Sequence, residues 1–200
     1  KWSGAFVGSS VNWTGTTLVI QYCFSTGIID GGLGGAGGII GGYAGISTND
    51  VTISHCYSTG NITYSAGGGN GGIAGSHFGG VSDADTIPII RNCYSTGNIT
   101  GAYCGGITGV YTGISDGKYL IENCYSAGTM TGSSTGAISG GLYGGTGTTV
   151  RHCYSLNATG NGRGADDTEN KFFGYASGGG SVPDNTSGNV VGSGTWDAVL

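Results

Sequence analysis

IIRNCYSTGNIT, residues Ile89–Thr100, decides the fold, because the chain says nearly the same thing four more times. VIQYCFSTG stands at Val19–Gly27, TISHCYSTG at Thr52–Gly60, LIENCYSAG at Leu120–Gly128 and TVRHCYSLN at Thr149–Asn157. The repeated cysteines, Cys23, Cys56, Cys93, Cys124 and Cys153, are 33, 37, 31 and 29 residues apart. A glycine phrase keeps the same beat. GAFVG begins at Gly4, GGIIG at Gly37, GGIAG at Gly71, GGITG at Gly105 and GAISG at Gly136, in steps of 33, 34, 34 and 31. Two landmarks with one period mean one supersecondary unit copied about five times, and periods of this size mark solenoids, propellers or helical arrays.

Helical arrays fail on composition. Gly supplies 47 of 200 residues, and each interior Gly costs a helix about 1 kcal/mol relative to Ala. The units are instead short runs rich in Val, Ile, Thr and Tyr, bounded by Gly, Asn and Ser, which is strand punctuation. A propeller blade needs more chain than these units hold. Collagen needs Gly at every third residue. A β-solenoid (parallel β-helix) remains, with about five coils of about 33 residues over 1–160 and a non-repeat capping or assembly tail over 161–200. The glycine phrase precedes each cysteine by 19, 19, 22, 19 and 17 residues, so length variation falls in loops carrying Asn49, Asp50, Asp83, Asp85, Asp116 and Lys118.

Side-chain directions follow from the ladder. The position three before each Cys is always aliphatic (Ile20, Ile53, Ile90, Ile121, Val150) and should face inward. The next position is polar (Gln21, Ser54, Arg91, Glu122, Arg151) and should face out. From Cys onward, alternation sends Cys, Ser and Gly inward and the aromatic, Thr and Asn outward. Ile62 and Ile99 turn back in. A corner between Ile and Cys must absorb one break in that alternation.

Charge and hydropathy exclude several classes. The net charge is −5, from six Lys and Arg against eleven Asp and Glu, with no basic cluster for nucleic acid. No apolar run approaches the length of a membrane span. The chain starts at Lys1, as expected for a processed product. No cofactor is expected.

The alternation of the glycine phrase with the Cys-Tyr phrase resembles the GLUG repeat, most closely at Gly71–Gly75 with Ile90–Thr100 and at Gly105–Gly109 with Ile121–Thr129. The closing TWDAVL at Thr195–Leu200 is also similar to the end of such arrays. The resemblance covers about residues 4–160. It implies a secreted or surface β-solenoid serving as stalk, adhesive or scaffold, with no catalytic residues in the repeats. Cys departs from the commoner Ser or Ala at its position.

Several constellations of side chains invite a chemical reading. The cysteine ladder reads either as a stack of small buried thiols or as staples such as Cys23–Cys56 and Cys93–Cys124, with Cys104 and Cys153 left over. His55 and His152 precede cysteines, but their slot also holds Tyr22, Asn92 and Asn123, and no zinc-ligand spacing occurs, so no metal is expected. His77 stands alone in a loop. The aromatic ladder Phe24, Tyr57, Tyr94, Tyr125 and Tyr154 should project outward, for stacking, for contact with another chain or for glycans. Two GxSxG strings, Gly113–Gly117 and Gly132–Gly136, lack the strand-to-helix turn of a nucleophile elbow. Asp166, Asp167 and Glu169 read as a solvated loop rather than a calcium site. Candidate N-glycosylation sequons lie at Asn12, Asn61, Asn98, Asn157 and Asn185.

These features point to a non-enzymatic extracellular or cell-surface structural protein. It would be a subunit of a head-to-tail fibre with itself as partner, or the shaft of an adhesin touching cell-surface glycans. The alternative is a monomeric carbohydrate- or ice-binding module, for which Thr26, Thr59 and Thr96 form an outward row broken by Ala127 and Leu156. Neither nucleic acid nor membrane insertion is expected.

Overall fold

The structure, a computed structural model, describes residues 3–8, 17–31, 35–45, 50–63, 68–79, 87–113, 118–141 and 149–156, and the backbone of 190–191. The first turn carries β1 (Thr17–Gln21), β2 (Phe24–Ser25) and β3 (Ile29–Asp30). The second carries β4 (Asp50–Ser54), β5 (Tyr57–Ser58) and β6 (Ile62–Thr63), and the third β7 (Ile89–Arg91), β8 (Tyr94–Ser95) and β9 (Ile99–Thr100). Then follow β10 (Leu120–Glu122), β11 (Tyr125–Ser126) and β12 (Met130–Thr131), β13 (Thr149–Arg151), β14 (Tyr154–Ser155) and β15 (Val190–Val191).

Every strand pairs in parallel with its equivalent one turn away. The sheets run β1-β4-β7-β10-β13, β2-β5-β8-β11-β14-β15 and β3-β6-β9-β12. Ile20, Ile53, Ile90, Ile121 and Val150 are register partners, as are Phe24, Tyr57, Tyr94, Tyr125 and Tyr154. The chain is a β-solenoid. Among the described residues four turns carry all three strands and a fifth carries two, fewer complete turns than the expected five. Of the proposed tail only β15 is described, and it adds to β14 with Tyr154 opposite Val190.

A fourth side is made by the glycine phrases, joined by single parallel bridges Gly4–Gly37–Gly71–Gly105–Gly136. Here the backbone itself is the packing material. A Cβ on Gly71 would overlap the Ala74 carbonyl and the Gly109 amide, and one on Gly105 the Thr108 carbonyl and the Gly140 amide. One carbonyl serves two amides at each step: the Ile107 oxygen accepts from Ile73 N and Ala74 N at 2.9 and 3.0 Å. Ile39, Ile73, Ile107 and Ile138 fill the interior behind this wall.

The corner that the alternation required falls on the residue before each Cys. Tyr22, His55, Asn92, Asn123 and His152 are left-handed, with φ of 51–55°, a conformation Asn tolerates better than most. The turn lets Gln21 and Tyr22 both point outward before Cys23 turns in. Hydrogen bonding continues through it: Tyr22 N–H donates to Ser54 O at 3.2 Å and Asn92 N–H to Glu122 O at 3.1 Å. A second left-handed corner stacks Tyr43, His77 and Tyr111.

The inward aliphatic row is buried throughout, as expected. Ser54 departs from the polar outward row: it is buried, and its hydroxyl has no hydrogen-bond partner. Its side chain is small enough to be covered where the longer Gln21 and Arg91 reach solvent. Asn70 is a buried clamp between turns. Its Oδ1 accepts from Ala36 N–H at 2.8 Å and its Nδ2 donates to Thr100 O at 2.9 Å.

Asn70→Ala should therefore destabilise the fold by about 2–4 kcal/mol, since an amide and a carbonyl lose their partner at once. Thr108→Val should act in the opposite direction, by about 1 kcal/mol, because the buried Thr108 hydroxyl makes no hydrogen bond. Chemical denaturation of the two variants against the unmodified protein checks both signs.

Candidate functional site

No cleft gathers reactive side chains among the described residues; the features that could act on other molecules are rows along the solenoid. Phe24 and Tyr57 stack with centroids 5.1 Å apart and planes 9° from parallel, and Tyr57 and Tyr94 at 4.8 Å and 2°. The regularity then breaks. Tyr94 and Tyr125 are 6.4 Å apart and tilted by 48°, and Tyr125 and Tyr154 are at 5.8 Å. Exposure is 55% at Phe24 and 37% at Tyr94, with Tyr57 between them half-buried, and drops to 9% at Tyr125 and Tyr154. The expectation that all five project outward is corrected for these last two. Alternation sets which side of the strand a ring leaves from; it does not set what lies over that side.

Stacking also decides which part of a ring is available. The faces of Phe24, Tyr57 and Tyr94 lie against one another, so their edges point outward. Each such contact stabilises the pair by about 0.5–1.5 kcal/mol. A sugar stacks on a ring face, and within this row both faces of Tyr57 are already used, while Phe24 begins the row with one face outside the stack.

The cysteines lie directly inside this stripe. Cys56, Cys93, Cys124 and Cys153 are buried, Cys23 is half-buried in the first turn, and all six cysteines are free thiols. Each thiol of the row donates to the carbonyl two residues upstream, as Cys56 Sγ does to Ser54 O at 3.2 Å. Cys56, Cys93 and Cys124 influence one another's ionisation. The hydrogen bond to Cys93 and burial push Cys56 up, burial and its neighbours push Cys124 up, and hydrogen bonds from Cys124 and Cys56 draw Cys93 down. Cys104 lies apart from the row, pushed up to about 11 by burial.

The corner before the cysteines forms an outer row. Tyr22 stacks on His55 at 5.0 Å, Asn92 Nδ2 meets His55 Nε2 at 3.2 Å, and Asn123 Nδ2 donates to Asn92 Oδ1 at 3.2 Å. His55 and His152 are thus members of a corner ladder, and among the described residues no three His, Cys, Asp or Glu side chains converge on a point. One strand position earlier, Arg151 binds Glu122 Oε2 through Nη2 at 2.8 Å and Nε at 3.0 Å. A partly exposed pair of this kind contributes about 0.2–1 kcal/mol.

Sequence reasoning missed the second corner. His77, read as solitary, lies between Tyr43 at 4.2 Å and Tyr111 at 4.7 Å. The signal was present: Tyr43, His77 and Tyr111 are 34 and 34 residues apart, the step of the glycine phrases. Of the sequons, Asn61 and Asn98 are exposed, and each uses Oδ1 to accept a backbone N–H of the next turn, from Asn98 at 2.9 Å and Thr129 at 3.0 Å. Asn12, Asn157 and Asn185 lie outside the described residues, as do Asp166, Asp167 and Glu169. No helix among the described residues is long and apolar enough to cross a membrane.

Comparison of the chain with protein-family models, with curated proteins and with solved structures found no match in any of the three.

Burial holds the His77 imidazole well below its usual value, at about 4. The unfolded chain takes up its proton near pH 6.5, so between those values the unfolded state binds more protons and stability rises with pH. The contribution is present above about pH 6.5 and is lost as the pH falls towards 4. His77→Gln should flatten that part of a stability–pH curve measured by urea denaturation, with little change at pH 8.

Proposed function

We propose that the chain is a non-enzymatic structural module of the cell exterior, assembling end to end with copies of itself or extending as the shaft of an adhesive appendage. The edge of the first described turn supports this reading. β1, β2 and β3 have strand neighbours on one side only among the described residues. Around that edge Phe6, Val19, Tyr22, Phe24 and Ile28 are all exposed, with Tyr22 at 76% and Ile28 at 75%. An unpaired edge with apolar side chains is a template for another strand. Stacking of unlike ends closes no ring and grows as a filament. At the Phe6 position the later turns bury Ile39, Ile73, Ile107 and Ile138, and at the Phe24 position Tyr57 is half-buried, so one more turn laid on the first would continue these two rows. Kinship with GLUG-repeat surface proteins, carried by the phrases at Gly71 and Gly105, would place such a module outside the cell. Sugars on Asn61 and Asn98 would coat one outer side without blocking growth along the axis.

The carbohydrate-binding alternative has less support, because past Phe24 the stacked rings expose edges rather than faces. The ice-binding version rests on exposed Thr26, Thr59 and Thr96 alone.

Val19→Lys/Phe24→Lys places two charges on the open edge. Sedimentation and negative-stain microscopy at rising concentration should show filaments or end-to-end oligomers of the unmodified chain and monomers of the variant, with unchanged circular dichroism. Monodisperse short particles from both proteins would overturn the assembly reading.

A further inference from the structure

In an in-register parallel ladder, equivalent atoms on neighbouring turns lie one strand spacing apart, about 4.7–4.9 Å. The Phe24–Tyr57 and Tyr57–Tyr94 rings keep this spacing, at 5.1 and 4.8 Å. The cysteines immediately before them hold one repeated pose. Sγ of Cys56, Cys93, Cys124 and Cys153 lies 3.2–3.3 Å from the carbonyl two residues upstream. It also lies 3.7–3.9 Å from an Ile carbonyl of the preceding turn. Equal poses make the sulfur spacing follow the rung spacing.

That spacing suits few bonds. A disulfide wants Cβ atoms about 3.5–4.5 Å apart and sulfurs about 2.05 Å apart. A tetrahedral zinc site needs four convergent ligands, and none converge among the described residues. Two metal–sulfur bonds laid end to end do fit: at about 2.3 Å each, the zinc–thiolate length, a linear sulfur–metal–sulfur unit spans about 4.6 Å.

We propose that the buried cysteine row binds soft monovalent d10 cations, Cu(I) or Ag(I), each held linearly between thiolates of neighbouring turns, Cys56 with Cys93 and Cys124 with Cys153. Soft thiolate ligands select such cations over harder ones. On binding, two S–H bonds break, two metal–sulfur bonds form and two protons leave for each cation, so no electron is transferred and no oxidant is needed. The resulting unit carries one negative charge. The hydroxyls of Ser54 and Ser58, two residues before and after Cys56, are fully buried and without a hydrogen-bond partner. Pairs are favoured over a continuous chain, because a sulfur bridging two metals bends at an angle that a straight row does not offer. This site is independent of how the open first turn is used.

The test is anaerobic titration of the reduced, folded protein with Ag(I), read by native mass spectrometry and by proton release. Two cations per chain are expected, with two protons released for each and no uptake of Zn(II) at the same concentration. Cys56→Ser should retain one cation. Cys56→Ser/Cys124→Ser, which leaves no neighbouring pair in the row, should retain none, while Cys104→Ser keeps both. Unchanged uptake by the double variant, Zn(II) uptake matching Ag(I), or silver binding only in denaturant would overturn the proposal. So would quantitative disulfide formation with oxidised glutathione at unchanged circular dichroism, since it would show the sulfurs free to close to bonding distance. The Ag(I)/Zn(II) contrast in the unmodified chain decides the matter even where a variant fails to fold.

Discussion

Each turn of this protein is held by the turn beside it, and the constraint that makes this work is register. Parallel strands one spacing apart place Ile on Ile, Tyr on Tyr and Gly on Gly, so whatever one turn requires is required again by the next. A single slip would send the aliphatic row to solvent. The aromatic row, the Asn ladder and the Asn70 clamp all act between turns, which is why a chain with so much glycine and so little charge still specifies one alignment.

Glycine has a particular part in this. Adjacent turns are joined backbone to backbone on every side, and on the fourth side the glycine phrases leave no room for side chains. There a methyl group at Gly71 or Gly105 would overlap both the carbonyl three residues on in its own turn and a glycine amide of the next turn. The requirement is created by the neighbour. Gly27 in the first turn has open space where a Cβ would stand, whereas a Cβ at the equivalent Gly60 would overlap the Gly27 carbonyl. The same asymmetry leaves Phe24 more exposed in the first described turn than Tyr57 in the next. An end of the stack is chemically unlike its middle even when its sequence is the same, and the assembly reading rests on that difference.

The interior is unusual in carrying polar groups as rows. Hydroxyls of Thr108, Thr135, Ser139, Ser54 and Ser58 are buried without partners, and thiols run beside them. Small side chains are imposed by the thinness of the coil, and Ser, Thr and Cys meet that need at some cost in unsatisfied hydrogen bonding. A row of thiols at strand spacing is then a chemical consequence of a packing rule, and it gives soft-cation chemistry a geometric basis.

The period, the parallel stacking, the inward aliphatic row and the place of the corner before each cysteine were all legible in the residues. Each follows from local alternation and from repetition, and repetition is visible in one dimension. The burial of Tyr125, Tyr154 and Ser54 was not legible, because it depends on what lies over a position rather than on which way the position points. The Tyr43–His77–Tyr111 stack left only a faint trace, a 34-residue step in which a histidine interrupts two tyrosines. Local sequence sets the direction of a side chain through backbone geometry; only the assembled turns decide what it meets there, since that neighbour arrives from about thirty residues away.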